Sequence, residues 1–273
     1  MAKRIIALLT DFGLKDPFVS VMKAVILGIN PDVELIDLSH DVRKFDIFEA
    51  AFILYSSHKY YPNGTIFLIV VDPGVGSERK IVVVKTRRHI FIAPDNGVLY
   101  PIIMQYQKDA IIYIVDESKI EFTPKSRTFH GRDVFAPLAA YISLGYPLNY
   151  LGRKVNVNSI VKLDWYAPII EGGKAKGQIV HIDSFGNIIT SIPVKNVPWL
   201  KVGEKVLIKI EGKGEILAKF VRTFSEGKHK EFIALEDSFG LLEIALREDS
   251  AANELKVYRG LKVEVQRGKE YEY

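Results

Sequence analysis

The amino-acid sequence predicts an α/β domain with a mostly parallel sheet, followed by a smaller all-β, barrel-like domain. The chain has 273 residues, more than the roughly 100 to 200 that are usual for one domain. Its first half alternates short β-branched runs with stretches of helical period, the pattern of a parallel α/β sheet. Its second half holds only short strand-like segments between turn residues. The predicted domains are residues 1–170 and 174–273, joined by a linker at Glu171-Gly172-Gly173.

In the first half, the predicted elements follow one another in a regular order. Residues 5–9 form a buried strand, and residues 18–29 form a helix with Phe18, Met22, Val25 and Ile29 on one face. The later strands are expected at residues 33–38, 66–71, 81–85 and 90–93, and the later helices at 47–57 and 134–143, the last ending at Gly145.

In the second half, alternating apolar residues between turn signals predict seven short strands. They are expected at residues 177–182, 188–192, 205–210, 215–220, 231–235, 241–246 and 261–265. So many short strands without helices indicate a barrel or a sandwich.

The composition narrows the possible function classes. Hydrophobic residues make up 48% of the chain and charged residues 26%, which fits a protein with a packed core. The absence of cysteine rules out disulfides, thiolate metal sites and a cysteine nucleophile. The net charge of +4 comes from basic residues interleaved with acidic ones, so nucleic-acid binding is not indicated.

The sequence also bears on location. Residues 1–10 are too short an apolar stretch for a signal peptide, and no run approaches the roughly 18 apolar residues of a membrane span. A cytoplasmic location is therefore expected. Abundant Ile, Lys and Glu without cysteine is a bias of proteins from hot environments.

Acidic residues recur directly after the predicted strands of the first half. Asp11 and Asp16 follow the first strand, Asp41 the second, Asp72 the third and Asp95 a later one. An isolated aspartate is usually a turn former or a helix N-cap. Because ligands of open α/β sheets bind at the carboxyl ends of the strands, the recurrence favours a site there.

Residues 72–79 are similar in composition to a phosphate-binding loop but have the wrong spacing. Gly74 and Gly76 are too close together, and Arg79-Lys80-Ile81 replaces the Lys-Ser/Thr ending. Pro73 and the glycines predict a tight turn in which Asp72 and Arg79 face each other. His130 lies in a loop that opens a helix, and no paired histidines or HExxH motif accompany it, so a metal site is not expected.

Six motifs together resemble one family along nearly the whole chain. The motifs are Thr10-Asp11-Phe12-Gly13 with Asp16-Pro17-Phe18-Val19, Asp72-Pro73-Gly74-Val75-Gly76, Ala93-Pro94-Asp95-Asn96-Gly97, Phe129-His130-Gly131-Arg132-Asp133, Asp183-Ser184-Phe185-Gly186-Asn187 and Asp237-Ser238-Phe239-Gly240. In these residues and in their order, the chain resembles the S-adenosyl-L-methionine (SAM) hydroxide adenosyltransferases, relatives of the fluorinating and chlorinating enzymes.

The resemblance implies an activity and a catalytic triad. The expected reaction is hydrolysis of SAM, as substrate and without a further cofactor, to adenosine and L-methionine by in-line attack of water at C5'. Asp72, Arg79 and His130 would activate the water. Since the sulfonium leaves as a neutral thioether, no acid is needed for its departure.

The resemblance also implies binding residues. Asp11 would accept hydrogen bonds from the ribose hydroxyls, and Asp16 would hold the amino acid portion. In the β-rich domain, the methionyl amine, the adenine and the methionyl carboxylate would be met by Asp183, Phe185, Asn187, Phe224 and Ser238. Phe239 stands where the halogenating relatives have an arginine. Core packing is the alternative for Phe185, Phe224 and Phe239.

Finally, the resemblance implies a homotrimer whose sites combine the N-terminal domain of one subunit with the C-terminal domain of the next. Two other functions remain open at this point. One is a SAM-dependent halogenase, and the other is a non-enzymatic protein that binds nucleosides or nucleic acids through the β-rich domain.

Overall fold

A computed structural model describes residues 3–121, 126, 128–165 and 167–268 of the chain. The chain forms two compact units, Met1–Asp164 and Trp165–Tyr273. The segment predicted to be a linker, Glu171-Gly172-Gly173, instead belongs to a hairpin of the second unit. Glu171 pairs with Lys174 across the two-residue turn, and both glycines have positive φ, 56° and 75°. Such φ values at both central residues are those of a type I′ turn, the natural connection of two antiparallel strands.

The first unit is built on a seven-stranded sheet with the order β2-β1-β3-β5-β4-β6-β7. β1, β2, β3 and β5 are parallel, β4 and β7 run against them, and β6 again follows their direction. The predicted α/β fold with a mostly parallel sheet is confirmed. The strands are β1 (Arg4–Thr10), β2 (Val33–Ser39), β3 (Ile66–Val70), β4 (Ile81–Lys85), β5 (Ile90–Pro94), β6 (Ile111–Val115) and β7 (Gly152–Val155).

Helices cover both faces of this sheet. Successive residues of a strand point to opposite faces. Ile66, Leu68 and Val70 of β3 pack in one core with α1 and α4, while α2 and α3 contact each other and α2 contacts β1. The helices are α1 (Phe18–Ile29), α2 (Ile47–Ser57), α3 (Tyr100–Gln105), α4 (Ala136–Leu144) and α5 (Leu148–Leu151). In the described part of the chain, no helix is long and apolar enough to cross a membrane.

The predicted bounds of α1 are confirmed, but its buried face is partly different. Val19, Met22 and Ile26 are buried, whereas Phe18 is 41% exposed. Val25 and Ile29 are only partly buried at the edge of the core. Met22 was predicted correctly, and the buried face around it is shifted by one residue, to Val19 and Ile26 in place of Phe18 and Val25.

The predicted helix at residues 134–143 begins later than expected. Residues Gly131–Phe135 form a π-helical turn, and α4 follows from Ala136 to Leu144, ending at Gly145 as predicted. Single π turns are frequent at functional sites. This one follows His130 directly.

The second unit is a β-barrel, as predicted. Seven strands close in the order β10-β14-β13-β12-β11-β15-β9, and the pairing of β9 with β10 completes the ring. β8 pairs with β9 outside the ring, and among the described strands of this second unit only the pair β12 and β13 is parallel. The strands are β8 (Ile169–Glu171), β9 (Lys174–Ile182), β10 (Ile188–Pro193), β11 (Lys205–Ile210), β12 (Gly214–Phe220), β13 (Phe232–Glu236), β14 (Leu241–Leu246) and β15 (Lys262–Arg267), with α6 (Ala251–Leu255) after β14.

Candidate active site

Three side chains meet at the carboxyl ends of the parallel strands of the first unit. Asp72 follows β3, Arg79 precedes β4, and His130 precedes the π turn. Nε and Nη2 of Arg79 donate to Oδ2 of Asp72 at 2.9 and 2.6 Å. Nη2 also lies 2.9 Å from Nδ1 of His130. The structure thus brings together the three residues that the family resemblance implies as a catalytic triad, with Arg79 as the bridge.

The bridge is held from several sides. The side chains of Asp72 and Arg79 are only 5% and 9% exposed, and a buried arginine–carboxylate pair depends on such close geometry. The guanidinium lies over the ring of Phe135, 5.3 Å from its centre, and its Nη1 is 3.9 Å from Oε1 of Glu117. Sequence analysis did not predict that Phe135 and Glu117 lie beside Arg79, because no local sequence pattern links either residue to Arg79.

Gly74 provides the space that Arg79 needs. A Cβ at this position would lie 3.2 Å from Cγ of Arg79 and 3.4 Å from Oγ of Ser77. The hydroxyl of Ser77 donates to the carbonyl of Gly74 at 2.6 Å and tightens the turn. The predicted turn of residues 72–79 therefore brings Asp72 and Arg79 face to face.

The contacts of Arg79 determine which atoms of His130 and Asp72 donate hydrogen bonds and which accept them. A guanidinium has only donors, so Nδ1 of His130 is the acceptor and the neutral imidazole carries its proton on Nε2. Oδ1 of Asp72 is buried and accepts no hydrogen bond from the residues that the structure describes. An unpartnered buried carboxylate oxygen requires a donor. Asp72 is thus the member of the triad that can still accept a proton or a hydrogen bond.

An aromatic cluster supports the loop of His130. The ring centres of Phe12, Phe18 and Phe129 lie 5.1 to 5.9 Å apart. Asp133, in the π turn, is fully buried. Burial opposes its ionisation, but hydrogen bonds from Arg132 and the Ser126 N–H more than offset this and lower the pKa of Asp133. These contacts hold the start of α4 and the histidine before it.

The two aspartates of the first unit that were predicted to bind substrate, Asp11 and Asp16, differ in burial. Asp11 is 4% exposed, and its Oδ2 accepts the N–H of Phe45 at 2.8 Å. Because β1 neighbours β3, with Thr10 opposite Val70, Asp11 and Asp72 emerge at the same edge of the sheet. Asp16 is exposed and lines a shallow groove at the start of α1.

In the second unit, Asp183 forms a turn. Its Oδ1 accepts the N–H groups of Phe185 and Asn187, both at 2.9 Å, and its Oδ2 accepts Nδ2 of Asn187 at 3.0 Å. Asp237 forms the same turn, with its Oδ1 accepting the N–H groups of Phe239 and Leu241 at 2.8 Å. The tetrapeptide Asp-Ser-Phe-Gly occurs in both turns, a repetition that sequence analysis overlooked and that would have predicted the matching geometry.

Three phenylalanines of this unit, Phe185, Phe224 and Phe239, do not pack in its core, unlike Phe220. Phe185 is 79% exposed, Phe224 41% and Phe239 36%, so the core-packing alternative is wrong for all three. Phe185, Asn187 and Phe224 line one groove of about 550 Å³. Its other lining residues are Leu246, Arg247, Glu248, Asp249 and Ser250. Ser238 and Phe239 lie on the second turn and do not line this groove.

Glu243 is a buried acid close to both turns. It is 6% exposed on β14, and sequence analysis did not select it. Burial, followed by the negative charges of Asp183 and Asp237, raises the pKa of Glu243 to about 7. The residues of the chain described by the structure contain no group of three or more His, Asp or Glu side chains suited to hold a metal ion.

The fold and the site together define a class of protein. It is a two-domain enzyme with an arginine-bridged aspartate and histidine at the edge of an α/β sheet and an exposed aromatic groove on a β-barrel. The chain belongs to the SAM hydroxide adenosyltransferase family: the family's N-terminal domain matches residues 6–152, and its C-terminal domain matches residues 177–264. The predicted family is therefore confirmed.

Several relatives whose names state an enzymatic activity match this chain over nearly its full length. The (R)-S-adenosyl-L-methionine hydrolase of Methanocaldococcus jannaschii is 37% identical, over 93% of this chain and 92% of its own. That of Thermus thermophilus is 33% identical, over 93% and 96%. A fluorinase of Nocardia brasiliensis is 26% identical over 97% of both chains. The crystal structure of an uncharacterized conserved protein from Thermotoga maritima has a TM-score of 0.89 and 37% identity, over 96% of this chain and 100% of its own.

Proposed function

We propose that this chain hydrolyses SAM to adenosine and L-methionine. The observation that carries the proposal is the Arg79 bridge, which holds Asp72 and His130 together and leaves Oδ1 of Asp72 as a buried acceptor. The names of the full-length relatives from Methanocaldococcus jannaschii and Thermus thermophilus support the same reaction.

The proposed step is an in-line displacement. A lone pair of the water oxygen forms a bond to C5' of the substrate while the bond from C5' to sulfur breaks on the opposite side. The bonding electrons pass to sulfur, so the sulfonium departs as the neutral thioether of methionine. The water loses one proton, and adenosine, methionine and that proton are the products.

Each member of the triad has a distinct task in this step. Oδ1 of Asp72 accepts a hydrogen bond from the water and then its proton. Arg79 engages only Oδ2, so it fixes the carboxylate without blocking Oδ1. The bond from Arg79 to Nδ1 directs the Nε2–H of His130 away from the bridge, where it donates to the water oxygen and orients its lone pair.

Substrate binding is assigned to both units. The groove of Phe185, Asn187 and Phe224 is large enough for a purine and offers aromatic faces together with an amide. Asp11, with only Oδ2 engaged by described residues, would accept a ribose hydroxyl through Oδ1. Asp16, Asp183 and Ser238 keep their predicted roles toward the methionyl part. Phe239 has no charge that could pair with the methionyl carboxylate of the substrate, so Ser238 would bind that carboxylate by hydrogen bonding alone.

The first experiment measures adenosine and methionine released from SAM by the wild-type protein and by Asp72→Asn. This isosteric change removes the acceptor charge, so we expect kcat to fall at least about 100-fold with KM changed less than about three-fold. The control is Asp109→Asn, which also removes a carboxylate paired with an arginine, but on the surface with Arg87. Unchanged turnover in Asp72→Asn would remove Asp72 from the mechanism.

A second arm distinguishes water from halide as the nucleophile. The same assay is run with and without chloride or fluoride, and the nucleoside products are separated. We expect adenosine in every case, because the triad contains groups that bind and activate water. A 5'-halogenated nucleoside as the main product would overturn the hydrolase assignment.

A further inference from the structure

The loop that carries Asp72 and Arg79 crosses the end of a strand that contributes neither residue. β5 lies between β3 and β4 in the sheet, although it follows both in the chain. The loop leaves β3 at Val71 and enters β4 after Lys80, so it must pass over the carboxyl end of β5. The residues at that end are Asp95, Asn96 and Gly97.

Both ends of the loop are hydrogen-bonded to these residues. Nδ2 of Asn96 donates to the carbonyl of Val71 at 2.8 Å, directly before Asp72. The N–H of Asp95 donates to the carbonyl of Lys80 at 2.8 Å, directly after Arg79. The backbone on either side of the catalytic pair is thus fixed to one short segment.

The side chain of Asn96 is suited to this contact in both of its polar atoms. Oδ1 accepts the N–H of Val98 at 3.2 Å, which orients the amide so that Nδ2 faces Val71. An aspartate has the same shape but would present an oxygen to the carbonyl oxygen of Val71. The contact therefore requires a side chain with a donor and an acceptor at these two positions.

We propose that Asn96 is a positioning residue, which sets the distance between Asp72 and the reacting centre by holding the backbone at Val71. The hydrogen bonds of its side chain go to Val71 and Val98 and not to Arg79 or His130, and it is assigned no contact with the substrate. Because in-line attack depends on alignment, a shift of the order of 1 Å at Asp72 is enough to reduce turnover strongly. This inference rests on the proposed hydrolase function.

The test compares Asn96→Asp with the wild-type protein and with Asn30→Asp. Asn30 is a matched control, because its Nδ2 also donates, to Oγ of Ser143, and its Oδ1 also accepts a backbone N–H, that of Asp32. It lies at the C-terminal ends of α1 and α4, away from His130. Melting temperature, SAM affinity, kcat and KM are measured for all three proteins.

We expect kcat of Asn96→Asp to fall at least about ten-fold, with KM and SAM affinity within about three-fold of wild type. Asn30→Asp should lose stability but keep its kcat. Equal kcat in Asn96→Asp and the wild type, or an equal loss in Asn30→Asp, would overturn the inference. If Asn96→Asp does not fold, Asn96→Ser, which removes the donor without adding a charge, is tested against the same expectations.

The two proposals fail in distinguishable ways. A wild-type protein that does not cleave SAM removes the hydrolase function, and this inference with it. An active wild type with an equally active Asn96→Asp removes only the role of Asn96.

Discussion

Two buried histidines of the first unit lie in an aromatic cluster and differ in how their nitrogens are satisfied. Nδ1 of His58 donates to the carbonyl of Leu54, and its Nε2 lies 3.0 Å from the hydroxyl of Tyr106. His89 packs beside Phe67 and Phe91, and both of its ring nitrogens lack a hydrogen-bond partner in the described part of the chain. Burial, and then the nearby charge of Arg88, lowers the pKa of His89 to about 4.

This histidine makes stability depend on pH. A lowered pKa means that the unfolded chain binds the proton more readily than the folded one. The contribution of neutral His89 to the free energy of unfolding is therefore present above about pH 6.5 and is lost as the pH falls toward 4. We expect His89→Phe to reduce the loss of unfolding free energy between pH 7 and pH 4 by an amount on the order of 2 kcal/mol. Denaturant unfolding at a series of pH values measures this difference.

His229 provides the control for that experiment. It is exposed and pairs with Glu248 at 3.0 Å, so His229→Gln should leave the pH profile of stability close to that of the wild type. The same pH profile in His89→Phe and the wild type would show that protonation of His89 does not limit folding in acid.

At the scale of elements, the hairpin of β8 and β9 shows how two residues decide a connection. Gly172 and Gly173 have positive φ, and a Cβ at either position would meet nothing within 4 Å. Any effect of a substitution at this turn therefore comes from backbone conformation, since there is room for the side chain. Asparagine tolerates this conformation, whereas a β-branched residue does not.

We accordingly expect Gly172→Asn and Gly172→Val to have opposite effects on the free energy of unfolding. Asn-Gly is a favoured type I′ pair, so Gly172→Asn should keep or raise the free energy of unfolding by a few tenths of a kcal/mol. Gly172→Val should lower it by about 1 to 2 kcal/mol. Chemical denaturation of both variants checks this, and equal stabilities would argue against the left-handed turn.

At the scale of the whole molecule, the residues assigned to catalysis and substrate binding belong to two different units. The triad and Asp11 belong to the first unit, while Phe185, Asn187 and Phe224 belong to the second. The resemblance to the family implies a homotrimer in which each site combines the first unit of one subunit with the second unit of the next. We propose this assembly, and sedimentation should then give three times the chain mass of 30.8 kDa.

Mixing inactive variants tests the shared site directly. Asp72→Asn removes a proposed catalytic residue of the first unit, and Asn187→Ala removes a proposed substrate-binding residue of the second unit. Co-expression in equal amounts should restore about a quarter of the wild-type sites, because one intact half comes from each variant. Two variants of the same unit, Asp72→Asn and His130→Ala, should restore none. No recovery in the first mixture would indicate a site contained in one chain.

The comparison of sequence with structure shows which features depend on local pattern. The bounds of α1 and α2 were predicted correctly, and all seven strands that close the barrel were predicted with bounds within three residues, because hydrophobic period and turn residues act over a few neighbouring positions. β6, β7 and α3 were not predicted. β6 is a run of apolar residues like that of β3 and could have been predicted, whereas β7 and α3 are short segments without a clear period.

By itself, the sequence determined the family, the two kinds of domain and the candidate residues of the site, since these depend on the identity and order of residues. Only the tertiary structure decided that Arg79 bridges Asp72 and His130, that β5 separates β3 from β4, and that Asn96 holds the catalytic loop. These contacts join residues 25 and 51 positions apart, Asn96 with Val71 and Arg79 with His130. No local pattern specifies such partners, because they are selected by the packing of the whole sheet.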